Sequence, residues 1–82
     1  MFDDLREVLS EENPEALLAD GFEAALIGVV RRVGQPTLAC YDVEKCIEIL
    51  AQEMSLEEAW EYFDFNVAGA WVGEHTPVFL YR

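Results

Sequence analysis

The segment ALIGVVRRVGQPTLACY, residues 25–41, contains the strongest strand signal in the sequence. Two runs rich in strand-forming residues, Ala25–Val33 and Pro36–Tyr41, lie on either side of Gly34 and Gln35. Such runs around a glycine-containing pair predict a β-hairpin. Glycine supplies the positive φ that a type II′ turn requires at its first central position. The fold is therefore expected to form around this hairpin, with Gly34 and Gln35 as its two loop residues.

Counting back from the predicted turn places Gly28 on the first strand of the hairpin opposite Tyr41 on the second, so that an aromatic ring covers a glycine.

A third strand is expected near the C-terminus. A further run of strand-forming residues, Pro77–Tyr81, contains the sequence VFLY. Because an isolated hairpin is only marginally stable, this run is expected to join it. The sequence thus predicts a three-stranded antiparallel sheet made of the hairpin and the C-terminal strand.

Two short helices are predicted before the hairpin. Residues Phe2–Glu12 carry apolar side chains at i, i+3, i+4 spacing and acidic side chains near the start. Negative charge is favourable at a helix N-terminus, so this segment predicts a helix. Asn13 then provides an N-cap and Pro14 a suitable first helical residue, which predicts a second helix over Pro14–Ala19.

Two further helices are predicted after the hairpin, and three or four short helices are expected to pack on the sheet. The clearest begins after the N-cap Asp42 and has an apolar stripe, formed by Val43, Cys46, Ile47 and Leu50. The next begins after Ser55, where Glu58 completes a capping box, and its predicted inner stripe consists of Leu56, Ala59, Trp60 and Phe63. Asn66 is expected to end it in the left-handed conformation. Val67–Gly73 suits a helix turn as well as a bend.

Length and charge restrict the class of protein. The chain has 82 residues, 52% of them apolar, which predicts one folded α+β domain over residues 1–82. Seventeen carboxylates against five Lys and Arg give a formal charge of −12. This charge disfavours direct binding to nucleic acid or anionic membranes and favours a basic protein surface as partner. Neither a signal peptide nor a membrane-spanning apolar run is present in the sequence, which predicts a cytoplasmic protein.

One word pattern resembles a small family of uncharacterised proteins common in phages and prokaryotic genomes. The pattern begins with ALIG at residues 25–28, continues through YD, CIEIL and EEA, and ends with FNVAGAWVGE and the following TP and F. The resemblance implies a phage or prokaryotic context and no catalytic residue. Small acidic proteins of such genomes include anti-CRISPR proteins and DNA mimics. By this analogy the chain is expected to be an inhibitor.

Carboxylates on the helix after Ser55 form the candidate binding site. Glu57, Glu61 and Asp64 have i, i+4, i+7 spacing, which places them on one helix face about 6 Å apart, with Glu58 beside them. This is either a solvated face or an imitation of a row of phosphates that occupies the Lys- and Arg-lined groove of a nucleic-acid-binding protein. The predicted partner-binding residues are Glu57, Glu58, Glu61, Asp64 and Tyr62.

Aromatic side chains give a second interpretation of the surface. The segment from the predicted helix onward is rich in them, and most are expected in the core: Trp60, Tyr62, Phe63, Phe65 and Trp71. Tyr62 falls off the inner stripe, and Tyr is enriched in interface hot spots. The alternative function is therefore a structural or homodimerisation module whose charge serves only solubility.

Catalysis has little support in the sequence. His75 is the sole histidine, and Cys40 and Cys46 have no metal-site spacing and lie in segments predicted to be buried. A disulfide between these cysteines is not indicated. Gly69 and Gly73 lack the Lys and Ser or Thr of a phosphate-binding loop. We expect no catalytic residue, no cofactor and no metal site.

Overall fold

A computed structural model describes residues 2–82. Within this range it contains three α-helices and a three-stranded sheet, so the predicted α+β class is confirmed. The elements in chain order are α1 (Phe2–Glu12), a 3₁₀ turn (Glu23–Ala25), β1 (Leu26–Val30), β2 (Leu38–Asp42), α2 (Val43–Leu50), α3 (Leu56–Tyr62), a π-helix (Phe63–Ala68) and β3 (Val78–Leu80).

The sheet is mixed, and the prediction that all its strands are antiparallel is wrong. The strand order is β1-β2-β3. β1 pairs antiparallel with β2, as the hairpin requires, whereas β3 pairs parallel with β2 through Cys40 and Val78. Parallel neighbours need a long crossover connection, and α2, α3 and the π-helix supply it. These helices return the chain to the end of the sheet where β2 begins, so β3 runs in the same direction as β2.

The hairpin loop is longer than the predicted two residues. β1 ends at Val30 and β2 begins at Leu38, so residues 31–37 connect them. Within this loop the Gln35 N–H donates to the Arg32 carbonyl oxygen at 2.9 Å. Gly34 has a φ of +80°. It therefore occupies the second central position of a turn, where type II turns require positive φ, and not the first position of a type II′ turn.

A β-bulge changes the predicted register of the hairpin. The pairing shifts between Leu26 and Gly28, so that Leu26 lies opposite Tyr41 and Gly28 lies opposite Cys40. The predicted pairing of Gly28 with Tyr41 is therefore wrong. Ile27 is the extra residue, because two steps along β1 correspond to one step along β2 at this point.

The predicted helix over Pro14–Ala19 does not form. A single turn is followed by irregular chain, whose backbone groups find partners elsewhere. The Ala19 N–H donates to the Tyr41 hydroxyl at 2.9 Å, and the Leu17 N–H donates to the His75 carbonyl oxygen at 3.1 Å. Since these bonds satisfy backbone donors without a helix, tertiary contacts override the local N-cap and proline signal.

Both predicted caps after the hairpin are confirmed. The Asp42 carboxylate accepts from the Glu44 N–H at 2.9 Å and also from the Lys45 N–H, and so caps α2. Ser55 and Glu58 form the capping box of α3, in which the Glu58 N–H donates to the Ser55 hydroxyl at 3.2 Å. These contacts use residues close in sequence, which is why the sequence alone predicts them.

The helix that follows Ser55 continues beyond its predicted end. α3 passes directly into the π-helix, which ends at Ala68 with Gly69 as its C-cap. Among residues 2–82 positive φ occurs only at glycines, so the predicted left-handed conformation at Asn66 is wrong. Of the segment Val67–Gly73, whose conformation the sequence leaves open, Val67 and Ala68 are therefore helical and the residues from Gly69 onward are not.

The inner stripe of this helix is only partly as predicted. Ala59 and Phe63 are fully buried, whereas Leu56 and Trp60 are exposed. Phe63 contacts the ring of Phe79 on β3 edge-to-face, with ring centroids 5.3 Å apart. The core lies between the helices and the sheet, and its buried apolar members include Leu9, Phe22, Leu26, Tyr41, Val43, Cys46, Ile47 and Phe63.

Candidate functional site

The predicted partner-binding residues lie together on one continuous helical segment. Glu57, Glu58 and Glu61 belong to α3, and Asp64 lies in the first turn of the π-helix. All four side chains are exposed, and we call this surface the acidic helical face. Residues separated by four positions on an α-helix are surface neighbours, so Glu57 and Glu61 share one side of α3. The π-helix winds more widely, which changes the direction in which Asp64 leaves the axis.

Basic side chains in the structure pair with carboxylates elsewhere. Arg31 pairs with Glu12, Arg82 with Asp42, and Arg6 lies 4.0 Å from Glu23, so three of the five basic residues are occupied; the sequence has no Lys or Arg between Lys45 and Arg82. Within residues 2–82 no ion pair reaches the acidic helical face. The carboxylates of this face are therefore able to interact with water, counterions or a partner protein.

Glu58 has a structural role besides its place on this face. One of its carboxylate oxygens, Oε1, accepts hydrogen bonds from the Ser55 hydroxyl at 2.9 Å and the Ser55 N–H at 3.3 Å. Glu57, Glu61 and Asp64 have no side-chain hydrogen bond within residues 2–82. A variant at Glu58 would therefore disturb the helix start, whereas variants at the other three test charge alone.

Aromatic side chains accompany the carboxylates. Tyr62 is 45% exposed, and Phe65 in the π-helix is 82% exposed. Trp71, just beyond the π-helix, is 74% exposed. Sequence reasoning placed most of these rings in the core and singled out Tyr62 alone. Phe65 and Trp71 were missed, because large aromatic side chains were expected in the core on their hydrophobicity, although Phe65 lies about 200° around an α-helix from Phe63 and so falls off the inner stripe.

A shallow depression lies beside the acidic helical face. It has a volume of about 410 Å³, and it is lined by two carboxylates, two aromatic rings, a methionine and an amide: Glu58, Glu61, Tyr62, Phe65, Met54 and Asn66. Aromatic residues beside a charged rim are typical of protein–protein contact surfaces. The arrangement can therefore supply charge complementarity and an apolar contact at the same place.

The two cysteines lie in settings that disfavour a reactive thiolate. Both are free, and Cys46 is fully buried as predicted, whereas Cys40 is partly exposed. Burial, with a smaller effect from the Asp42 charge, raises the pKa of the Cys46 thiol to about 11. Burial also raises the pKa of Cys40. At neutral pH both side chains are therefore thiols, and thiols are weak nucleophiles.

The Asn13 side chain joins three separate segments of the chain, one of which carries His75. The Asn13 side-chain amide donates to the Thr37 carbonyl oxygen at 2.8 Å and lies 3.0 Å from His75 Nδ1. Asn13 Oδ1 accepts from the Glu15 N–H, which fixes the amide so that Nδ2 faces the ring. His75 Nδ1 is then the acceptor, and the neutral ring carries its proton on Nε2. The side chain thus holds the segment before β3 against the end of α1.

The described residues contain neither a cluster of metal ligands nor a helix that could span a membrane. Among residues 2–82, no three His, Cys, Asp or Glu side chains are grouped so that they could hold a metal ion. In the same range, each helix is too short or too polar to cross a membrane.

Comparison with known proteins adds no assignment. The sequence matches no family model, no curated protein and no solved structure. The resemblance to a phage and prokaryotic family therefore stays a prediction. The feature that supports a functional proposal is the acidic helical face, where carboxylates without a basic partner among the described residues lie beside exposed aromatic rings.

Proposed function

We propose that this protein is a non-enzymatic binding protein whose acidic helical face contacts a basic surface of a partner protein. The observation that carries this proposal is the exposure of four carboxylates on one helical segment, none of which forms an ion pair with a basic side chain within residues 2–82. Tyr62 lies among them and offers an aromatic anchor, the residue type enriched where binding energy concentrates.

The proposed partner is a nucleic-acid-binding protein. Such proteins carry grooves of Lys and Arg that neutralise phosphates, and a row of carboxylates meets the same groups. By occupying the groove, the acidic helical face would exclude nucleic acid and inhibit the partner. This mechanism is that of a DNA mimic, and with the resemblance to phage proteins it suggests an anti-CRISPR-like inhibitor in the cytoplasm of a prokaryotic host.

The strength of such a complex follows from surface electrostatics. An exposed ion pair contributes little by itself, so the contact needs several pairs and an apolar component. Salt screens exposed charges over about 10 Å at an ionic strength of 0.1 M. The complex is therefore expected to form at low salt and to dissociate as salt rises.

Affinity capture from a host lysate tests the proposal. Tagged protein is incubated at low salt, eluted with a rising salt gradient, and the retained proteins are identified by mass spectrometry. The test variant removes three charges of the acidic helical face through Glu57→Gln, Glu61→Gln and Asp64→Asn. The matched control removes three exposed carboxylates of α1 that also lie within two turns, through Asp4→Asn, Glu7→Gln and Glu11→Gln.

The proposal predicts a salt-eluted nucleic-acid-binding protein that the wild type and the α1 control retain and the test variant loses. Equal capture by both variants would show that the acidic helical face is not the binding surface. Capture of nothing but the protein itself would contradict the proposal altogether.

A second candidate function is a homodimerisation module. It is favoured by the exposure of Phe65, Trp71 and Val72, which are large apolar side chains in neighbouring parts of the chain. Burial of such side chains drives association that salt does not weaken. Light scattering after size exclusion at low and high salt distinguishes the two functions. A dimer at both salt concentrations, lost when Phe65 or Trp71 becomes Ser, would support the module.

A further inference from the structure

An open groove lies next to the acidic helical face. Its volume is about 540 Å³, within the range of roughly 300–1,000 Å³ that is typical of ligand sites. Four stretches of the chain form its walls: residues 17–22, 49–53, 62–70 and 72–79. The Leu17 N–H bond to the His75 carbonyl oxygen joins two of these walls. We call this feature the apolar groove.

Apolar side chains dominate the apolar groove. Leu17, Leu18 and Val72 line it and are themselves exposed, while Ile49 and Phe79 contribute less exposed surface. Exposed apolar surface of this kind gains free energy when a partner covers it. Contiguous apolar patches rimmed by polar residues mark interaction sites in soluble proteins. The groove thus has the chemistry of a binding surface for apolar side chains.

The charges around the groove all have one sign. Asp20 and Glu53 are the charged residues that line it, and both are exposed carboxylates. Tyr62 and Asn66 line both the groove and the depression beside the acidic helical face. The two features therefore form one surface, in which an apolar channel is bordered by carboxylates on several sides. An occupant has to present apolar side chains and positive charge together.

We propose that the apolar groove binds a basic amphipathic helix of the partner protein. This inference rests on the proposed function and specifies the segment that the partner contributes. Apolar side chains at i, i+3, i+4 and i+7 of that helix enter the groove, as in other helix-in-groove complexes. Its Lys and Arg side chains, on the flanks of the stripe, meet Asp20, Glu53 and the acidic helical face.

Other occupants fit the surface less well. The walls consist mainly of helix ends and irregular chain, and the edge strand β3 contributes only Phe79, whereas strand addition would use the backbone along a whole strand edge. An anionic membrane would be repelled by a net charge of −12. A second copy of this chain would bring further carboxylates against Asp20 and Glu53. A cationic, amphipathic helix satisfies both the apolar and the charged parts of the surface.

Three synthetic peptides of about four helical turns test the inference. The first contains Leu and Lys with Leu at i, i+3, i+4 and i+7, the second has the same composition in an order without an apolar face, and the third replaces each Lys by Glu. Binding of the fluorescently labelled peptides to the full chain is measured by anisotropy at low salt. The first peptide is expected to bind at least about tenfold more tightly than the second, and the third is expected not to bind.

Matched variants locate the contact. Leu18→Ser and Val72→Ser are expected to weaken binding of the first peptide at least about fivefold, whereas Val33→Ser, on a fully exposed side chain of the hairpin loop, leaves it unchanged. Glu53→Gln is expected to weaken binding, and Glu48→Gln on the exposed side of α2 is its control. Circular dichroism confirms that each variant is folded.

The outcomes separate this inference from the proposed function. If the first two peptides bind equally well and the triple variant of the acidic helical face binds both more weakly, the proposal that the groove binds an amphipathic helix is wrong. Binding through charge alone would remain supported. Binding of the first and third peptides alike would contradict the requirement for positive charge in the occupant of the groove, and the lysate capture would still test the acidic helical face separately. If neither cationic peptide binds, the proposal that the groove binds a basic helix is wrong. The lysate capture would then be the test of the proposed function.

Discussion

The carboxylate of Glu12 connects the end of α1 to the hairpin loop. It accepts hydrogen bonds from Arg31 Nε at 2.6 Å, from a second nitrogen of the same guanidinium, and from the Thr37 hydroxyl at 3.0 Å. The Arg31 hydrogen bonds, with help from Thr37 and the Arg31 charge, outweigh partial desolvation and lower the pKa of Glu12 from 4.5 to about 2. A bidentate contact of this kind also fixes the direction of the guanidinium.

This contact predicts a pH-dependent contribution to stability. Because the folded-state pKa lies below the unfolded value, the contribution is fully present above pH 4.5 and is lost as pH falls towards 2. The difference in free energy of unfolding between the wild type and Glu12→Gln is therefore expected to be constant above pH 5 and to shrink below pH 4.5. Urea unfolding at pH 7, 4 and 3 measures it. A difference that stays unchanged down to pH 3 would contradict the assignment.

Asp42 is a second residue with several structural partners. It caps α2, and its carboxylate also contacts the Arg82 guanidinium. Burial alone would raise the pKa of Asp42, but the hydrogen bonds from Arg82 and from the Lys45 and Glu44 N–H groups outweigh it and lower that pKa. One buried carboxylate thus holds together the start of a helix and the C-terminal residue.

Replacement of Asp42 separates these two roles. Asp42→Ala is expected to lower the free energy of unfolding by about 1–2 kcal/mol, mainly because α2 loses its cap. Arg82→Gln removes the ion pair, keeps the cap and leaves a side-chain amide that can still donate to the carboxylate, so its effect is expected to be smaller than that of Asp42→Ala. Urea unfolding measures both variants. An effect of Arg82→Gln as large as that of Asp42→Ala would show that the ion pair, and not the cap, is the main contribution.

At the scale of elements, the π-helix ends at a position that only glycine fits. A Cβ atom at Gly69 would lie 2.6 Å from the Asp64 carbonyl oxygen, which belongs to the backbone and cannot rotate away. Gly69→Ala is therefore expected to destabilise the fold by about 1–3 kcal/mol. Gly28→Ala, where nothing lies within 4 Å of the new atom, is the control and is expected to have little effect. Thermal unfolding compares the two variants. Equal unfolding midpoints would contradict the close approach of Gly69 to the Asp64 carbonyl oxygen at the end of the π-helix.

The elements that the sequence predicts well are those fixed by neighbouring residues. The caps at Asp42 and Ser55 and the strand character of β1 and β2 depend on contacts within a few residues, and all are confirmed. The direction of β3 depends on how far α2 and α3 carry the chain, which no local pattern contains. The bulge at Ile27 and the irregular chain found in place of the predicted helix over Pro14–Ala19 likewise follow from tertiary packing.

The same distinction applies to the candidate site. Exposure of Glu57, Glu61 and Tyr62 follows from α-helical periodicity, and the sequence predicts it correctly. Exposure of Phe65 and Trp71 was not predicted, because aromatic rings are more often buried than exposed, and the irregular chain that carries Trp71 has no period from which its side-chain direction follows. The apolar groove combines four separate segments, and so it becomes visible only in the folded chain.

At the scale of the whole molecule, charge is the dominant feature. A formal charge of −12 on 82 residues destabilises the compact state through repulsion between carboxylates. Salt screens this repulsion, so the thermal midpoint is expected to rise between about 0.02 and 0.5 M NaCl. Calorimetry measures it, with KCl in place of NaCl as the control for ion-specific effects. A falling midpoint would show that the ion pairs of Glu12 and Asp42 outweigh the overall repulsion.

The acidic helical face is also a property of the whole molecule, because its charge is left uncompensated by the rest of the chain. Three of the five basic residues pair with carboxylates outside this face, and the sequence from residue 46 to residue 81 contains none. Fold and proposed function are therefore connected. The basic side chains that hold α1, the hairpin and the C-terminus together are paired there, and residues 46–81 contain carboxylates with no Lys or Arg to balance them.

The most direct test of this account is the equilibrium affinity of the captured partner for three forms of the protein over a series of salt concentrations. The forms are the wild type, the triple variant of the acidic helical face, and the matched triple variant of α1. Removal of three contacting charges is expected to weaken binding at low salt at least about tenfold and to flatten its salt dependence. The α1 variant is expected to behave like the wild type. Equal weakening by the two variants would show that net charge, and not this face, governs binding, and would contradict the account.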